Sequence, residues 1–183
     1  PPGDATRVTV AGLTEPMEGA IRPHFFTGVA TVCARLFCHV QPDATFFGEK
    51  DYQQLLVVRR MARDLGLGVE VIGVPTVREP DGLALSSRNA YLSASERAAA
   101  PALHRVLQEV AAALRDDASM AALKPDASGA LVAAGFTEPD YLDLRDAETL
   151  APLDRLDGAP ARLLVAARLG ATRLIDSIAV QRA

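Results

Sequence analysis

Hydrophobic and polar positions divide the chain into a first part of alternating strand and helix patterns and a second part with a different rhythm. Arg7-Val8-Thr9-Val10 predicts a short strand, and Gly12–Pro23 reads as a loop. From Gly28 to Val40 the chain is apolar almost all round, through Val29, Val32, Leu36, Phe37 and Val40. That pattern predicts a buried helix, which Pro42 ends. Ala44–Phe47 reads as a strand stopped by Gly48. The clearest helix follows, with Leu55, Val58, Ala62 and Leu65 at helical spacing, Asp51 as a capping residue and Gly66 as the stop. Val69–Val74 is predicted as a buried strand by its β-branched content, ending at Pro75. Strand, helix and strand with short connections predict parallel βαβ packing. Phosphate sites in such sheets lie beyond the carboxyl ends of the strands. Here those ends are Gly48–Asp51 and Val74–Val77.

The character changes after a turn at Asp81-Gly82. Ser93-Ala94-Ser95-Glu96 has the form of a capping box opening an alanine-rich helix. Pro101 kinks or restarts that helix, and Leu103, Val106, Leu107, Val110 and Leu114 form its buried stripe. A short helix is expected over Ala127–Ala134, and strands over Tyr141–Leu144, Arg162–Ala167 and Leu174–Ile178. The fold class is therefore α/β, with residues 1–76 as a parallel βαβ domain and 77–183 as a small α+β domain.

Composition narrows the function classes. Of 183 residues, 49% are hydrophobic and 23% charged, which fits a folded globular protein rather than a disordered one. The net charge of -4 argues against a nucleic-acid partner, whose phosphates call for a basic face. No apolar run is long enough for a membrane span. Cys33 and Cys38 lack metal-ligand spacing and read as buried free thiols, in keeping with a cytoplasmic setting. The opening Pro1-Pro2-Gly3-Asp4 has no initiator methionine and reads as a cut inside a longer protein.

Two segments carry candidate chemistry. Gly48-Glu49-Lys50-Asp51 stands where a strand turns into a helix, and helix-start N–H groups with a lysine attract phosphate. Asp51 can accept hydrogen bonds from ribose hydroxyls, or cap the helix with Gln54 three residues on; position alone leaves both open. Leu85-Ser86-Ser87-Arg88 offers two hydroxyls and a guanidinium to a polyphosphate, or forms a solvated loop with local serine turns. His24, His39 and His104 show no metal spacing, and no metal-ligand set is assigned. Asp116-Asp117 and Arg59-Arg60 read as solvated helix charges.

These segments resemble a known family in order and spacing. Phe46-Phe47-Gly48-Glu49-Lys50-Asp51-Tyr52-Gln53-Gln54-Leu55, Gly73-Val74-Pro75-Thr76-Val77-Arg78-Glu79 and Asp81-Gly82-Leu83-Ala84-Leu85-Ser86-Ser87-Arg88-Asn89 resemble the pantothenate synthetases. Ala166–Gly170 and Thr172–Asp176 resemble that family's closing strands. The resemblance implies the second half of a Rossmann-like nucleotidyltransferase domain followed by a C-terminal lid domain. It implies a ligase that forms pantoyl adenylate from ATP and pantoate with Mg2+, then pantothenate and AMP by attack of β-alanine. Gly48, Glu49, Lys50, Asp51, Val77, Leu85, Ser86, Ser87 and Arg88 would bind ATP. Of these, Lys50, Ser86, Ser87 and Arg88 would be catalytic, the Val77 backbone would meet adenine, and Gln54 would bind pantoate.

The chain departs from the family in two places. The family's H-x-G-H motif is absent, and with it the first half of the nucleotide domain, so the chain is expected to be inactive alone. Its exposed sheet edge and apolar face should pair with that half or with a second copy, as in the family's homodimers. Where the family has R-P-x-H-F-x-G-V, the chain reads Arg22-Pro23-His24-Phe25-Phe26-Thr27-Gly28-Val29, with Phe25 in the histidine's place. Two further expectations stay open: another adenylate-forming nucleotidyltransferase, or a non-catalytic nucleotide-binding or assembly module.

Overall fold

A computed structural model describes residues 3 and 5–182; Pro1, Pro2 and Asp4 of the opening segment, and Ala183, lie outside the described residues. The chain forms two compact units, Pro1–Pro75 and Thr76–Ala183. Both follow the α/β plan, one parallel and one antiparallel.

The first unit contains α1 (Glu18–Ile21), α2 (Phe25–Val40), β1 (Ala44–Gly48), α3 (Tyr52–Asp64) and β2 (Glu70–Val74). β1 and β2 pair in parallel, from Ala44 opposite Glu70 to Gly48 opposite Val74, and α3 is the crossover between them. The core gathers Phe26, Ala30, Ala34 and Phe37 of α2 with Leu55, Val58 and Met61 of α3 and Val71 of β2.

Several expectations give way here. Arg7–Val10 joins neither sheet; the Val8 N–H donates to Thr31 Oγ1 of α2 at 2.9 Å instead of to a strand. α1 lies inside the expected loop, and α2 starts at Phe25 rather than Gly28. Nor is α2 buried all round: Val32, Leu36 and Val40 are 52%, 53% and 67% exposed, an i, i+4, i+8 row on the face turned away from α3. Leu65, read into the helical repeat of α3, is its exposed C-cap, while Leu55, Val58 and Ala62 are buried; of the two thiols expected to be buried, Cys33 is and Cys38 is exposed. Only Val71 of β2 is fully buried, because the helices leave Glu70 and Val74 at the surface. Arg59 is more than a solvated charge, since its guanidinium donates to the Val71 carbonyl.

Gln53 is a structural residue that the pattern did not single out. It is 4% exposed, its Nε2 donates to the carbonyls of Leu13 (2.9 Å) and Pro16 (2.8 Å), and its Oε1 accepts from the Glu18 N–H. One amide thus fastens the segment before α2 to the first turn of α3.

The second unit contains α4 (Ala94–Ala99), α5 (Ala102–Arg115), α6 (Met120–Ala133), β3 (Tyr141–Asp146), β4 (Pro152–Leu153), β5 (Ala161–Leu169) and β6 (Thr172–Val180). Its antiparallel sheet runs β4-β3-β5-β6. The α5 stripe of Leu103, Val106, Leu107, Val110 and Leu114 is buried as expected, in one core with Leu142, Leu144, Leu163 and Val165. The capping box at Ser93 and Glu96 is formed, and Pro101 restarts the helix at the head of α5. α6 begins seven residues before the expected helix, with Ser119 as its cap and Pro125 inside it. β4 was not anticipated; two residues carry no period to read.

A buried polar cluster stands beside this core. Arg78 makes a two-pronged ion pair with Asp176 of β6, at 2.7 and 3.0 Å. His104 of α5 sits 3.6 Å from the same carboxylate. A side chain at Gly82 (φ +93°) would meet the His104 ring at 3.1 Å, so glycine is required for both backbone and space.

Two outcomes follow for stability. Burial, and next the Arg78 charge, hold the His104 pKa below its ordinary 6.5, against the opposing pull of Asp176. The unfolded chain therefore binds a proton first, so this contribution is intact above about pH 6.5 and lost as pH falls below it. Urea midpoints of the second unit should drop between pH 7.5 and 5.5, and a His104→Asn variant should flatten that part of the profile. Gln53→Ala strands two carbonyls and an N–H, and should destabilise the first unit by about 2 kcal/mol in urea unfolding.

Candidate active site

In the first unit the expected nucleotide residues gather where β1 becomes α3. Gly48 ends the strand in register with Val74, and Glu49–Asp51 form a single 3-10 turn leading into Tyr52. The turn faces the carboxyl ends of both parallel strands, the location such sheets use for phosphates. Glu49 folds back over β2, where a Cβ on Gly73 would lie 3.2 Å from its Oε1. Gly73 therefore opens the space that Glu49 fills. Lys50 is half-buried in the turn, and Gly48 and Asp51 are exposed.

Asp51 resolves one of the alternatives left by the sequence. It occupies the N-cap position of α3 but makes no side-chain capping bond. Gln54 is partly exposed one position beyond the locked Gln53. Adjacent glutamines therefore have different tasks: one is consumed by backbone groups, and one is presented to solvent.

The second unit carries the other expected group on a small hairpin. The Leu85 N–H donates to the Val77 carbonyl (2.9 Å) and the Glu79 N–H to the Leu83 carbonyl (2.8 Å), closing around the anticipated Asp81-Gly82 turn. Val77 and Leu85 are 61% and 51% exposed, large apolar side chains left at the surface of the hairpin. Ser86 caps a 3-10 turn, Ser87–Tyr91, by accepting the Arg88 N–H at 3.2 Å. Ser87 and Arg88 point a hydroxyl and a guanidinium outward from that turn, both exposed. Ser86 thus has a structural task; its hydroxyl can still donate to a ligand while it accepts from Arg88.

Around the hairpin several polar side chains are paired, while Thr76 Oγ1 and Asn89 Oδ1 are buried without a hydrogen-bond partner. Arg97 of α4 donates to Asp81 and to Glu79, each at 2.6 Å. The Arg97 bond, and next the Leu83 N–H, keep the Asp81 carboxyl below its ordinary range. Asn89 donates to Glu79 and to the Ala84 carbonyl.

Where Phe25 was expected in place of a histidine, Arg22 lies over the Phe25 ring at 3.7 Å, and Phe25 packs edge-on against Phe26. His24 takes a left-handed conformation (φ 69°) ahead of α2 and is exposed. A pocket of about 410 Å3 lined by Phe37, Cys38, Gln41, Asp43, Gly66 and Gly68 lies at the amino ends of β1 and β2. Position weighs against it as a phosphate site, since those ligands bind at the opposite ends of the strands. Among the described residues no three His, Cys, Asp or Glu side chains gather into a metal site. No helix among them is long and apolar enough to cross a membrane.

Comparison with known proteins shows the family. Pantothenate synthetase of Rhizorhabdus wittichii is 56% identical over 183 residues, covering 100% of this chain and 64% of the relative. That of Acidiphilium cryptum is 57% identical over 180 residues, again 64% of its length. The chain thus spans about 64% of the length of the curated relatives it matches. The crystal structure of pantothenate synthetase from Thermus thermophilus superposes with a TM-score of 0.89 at 55% identity, over 97% of this chain and 64% of that one. Pantoate-beta-alanine ligase from Francisella tularensis, complexed with beta-gamma ATP and beta-alanine, superposes with a TM-score of 0.73 at 26% identity, over 97% of this chain and 59% of that one. The model of the pantoate-beta-alanine ligase family matches residues 1–179, and the chain belongs to that family.

Proposed function

We propose that this chain supplies the second half of the ATP site, and a lid, to a ligase that condenses pantoate with β-alanine through pantoyl adenylate. The observation that carries the reading is the β1–α3 junction, where a helix start presents Lys50 and a carboxylate that is not used as a cap. In the first step a pantoate carboxylate oxygen attacks the α-phosphorus of ATP; the bond to the β-phosphate oxygen breaks and pyrophosphate leaves. In the second the β-alanine amine attacks the acyl carbon, the bond to AMP breaks, and the amine proton passes to solvent.

Each residue has a chemical task on this reading. Gly48 lets the ribose approach the backbone, Asp51 accepts its hydroxyls, and Glu49 shapes the turn from below. Lys50 balances charge building on the phosphates, and Gln54 orients pantoate. The Val77 backbone meets adenine, with Leu85 beside it. Ser86, Ser87 and Arg88 hold the departing pyrophosphate, an electrostatic role of the kind that dominates such sites. Magnesium, implied by the family resemblance, would neutralise charge on the phosphates of ATP.

The 183 residues contain no two histidines three apart, so the H-x-G-H contribution to the phosphates must come from elsewhere. We infer that residues 1–76 and 77–183 serve as half nucleotide domain and lid, and that the chain turns over nothing alone. The exposed row Val32, Leu36 and Val40, with Phe46 at 66% exposed, fits coverage by an H-x-G-H-bearing half or by a second copy. A cytoplasmic setting suits ATP-dependent biosynthesis.

A protein in which this sequence follows an H-x-G-H-bearing half should release AMP only when both pantoate and β-alanine are present. AMP release indifferent to pantoate, or driven by another acid, would reject the ligase reading. In that protein Lys50→Ala should lower kcat by about 100- to 1,000-fold. The purified 183-residue chain should form no pantothenate, and turnover by it would refute the division of the site.

A further inference from the structure

The turn that would carry the phosphates is a 3-10 turn, Ser87–Tyr91, whose own bonds are all short-range. Within it the Arg88 N–H donates to Ser86 Oγ, and the Asn89 N–H donates to the Ser86 carbonyl at 3.0 Å. Its position is set from outside. Asn89 Nδ2 reaches back to the Ala84 carbonyl at 3.1 Å, closing the turn on the residue that precedes Leu85. The same Nδ2 donates to Glu79 Oε1 at 3.3 Å. Both neighbours are acceptors, so the amide can point only one way. The other oxygen of Glu79 accepts from Arg97 Nη2 at 2.6 Å, while Arg97 Nη1 holds Asp81 at the hairpin tip, also at 2.6 Å. Arg97 stands on α4, whose start is tied down by the Ser93–Glu96 capping box.

We propose that Arg97, Glu79 and Asn89 form a positioning relay that fixes the Leu85–Arg88 turn from α4, touching no substrate themselves. One guanidinium spanning two carboxylates sets the hairpin against the helix. One carboxylate spanning a guanidinium and an amide transmits that placement to the residue next to Arg88. An isolated surface ion pair contributes little, but a planar fork shared by two carboxylates restricts geometry as well as distance. Geometry is what a phosphate turn requires, since a displacement of about 1 Å can cost on the order of 100-fold in rate. The buried Arg78–Asp176 pair holds the root of the hairpin on β6 independently, so loss of the relay should loosen the turn without unfolding the unit.

The test has one arm that is independent of the ligase reading and one that rests on it. In the 183-residue chain, Arg97→Gln should speed hydrogen exchange of peptides spanning Leu85–Leu92 by about tenfold, the size expected for one lost charge-assisted bond, with β3, β5 and β6 unchanged. Arg97→Lys, which reaches one carboxylate at a time, should fall between, and Arg105→Gln on α5 should change nothing. Unchanged exchange at Leu85–Leu92, or acceleration spread evenly through the second unit, would overturn the relay. In the longer enzyme Arg97→Gln should reduce kcat about tenfold and leave the KM for pantoate unaltered. A faster-exchanging turn with unaltered kcat would overturn its positioning role. An inactive wild type would defeat the ligase reading instead, and the exchange data would still decide the relay.

Discussion

The geometry of the first unit follows from a constraint on parallel strands. Two adjacent parallel strands cannot be joined by a tight turn; the chain must cross over and start the second strand from the same end. Here α3 makes that crossover between β1 and β2, so both strands finish side by side, with Gly48 opposite Val74. The polypeptide must leave β1 at that edge and enter a helix at once. A helix start is therefore placed beyond the sheet, and Gly48, Glu49, Lys50 and Asp51 are the residues that make the bend. Gly73, lacking a side chain, lets Glu49 lie against β2 and completes the surface.

The second unit solves a different problem, which is holding an exposed hairpin steady on an antiparallel sheet. Its root is gripped by Arg78 and the 3%-exposed Asp176, a buried pair whose charges are satisfied by two direct bonds and by the Ser177 N–H. Breaking such a pair leaves a buried charge uncompensated, a cost of about 3–5 kcal/mol, so the root behaves as part of the core. The tip is held by exposed or half-exposed carboxylates around Arg97, where water competes and little global stability is at stake. Strong bonds anchor the fold, and weaker ones set the position of the turn.

Residue types that cap helices and bind ligands are the same, and only geometry separates the two uses. Asp51 stands at an N-cap position without capping, while Ser86 does cap its turn. Phe25 is likewise defined by its surroundings: it accepts the Arg22 guanidinium on its face and a neighbouring ring on its edge.

Much was legible from residue order alone. The βαβ unit, the α5 stripe, the Ser93 capping box and the Asp81-Gly82 turn rest on local periodicity and turn chemistry, which neighbours in sequence determine. The motifs from Phe46 to Leu55 and from Gly73 to Asn89 identified the family for the same reason: they are contiguous. Tertiary structure alone decided what depends on residues distant in sequence. Val8 and Val10 found no strand to pair with, and half of the apolar α2 met no core. Gln53 rather than Gln54 was drawn inward to satisfy backbone groups about forty residues away. The partners of Arg78 and Arg97 lie 98 and 18 positions from them, and a spacing of that kind carries no period to read.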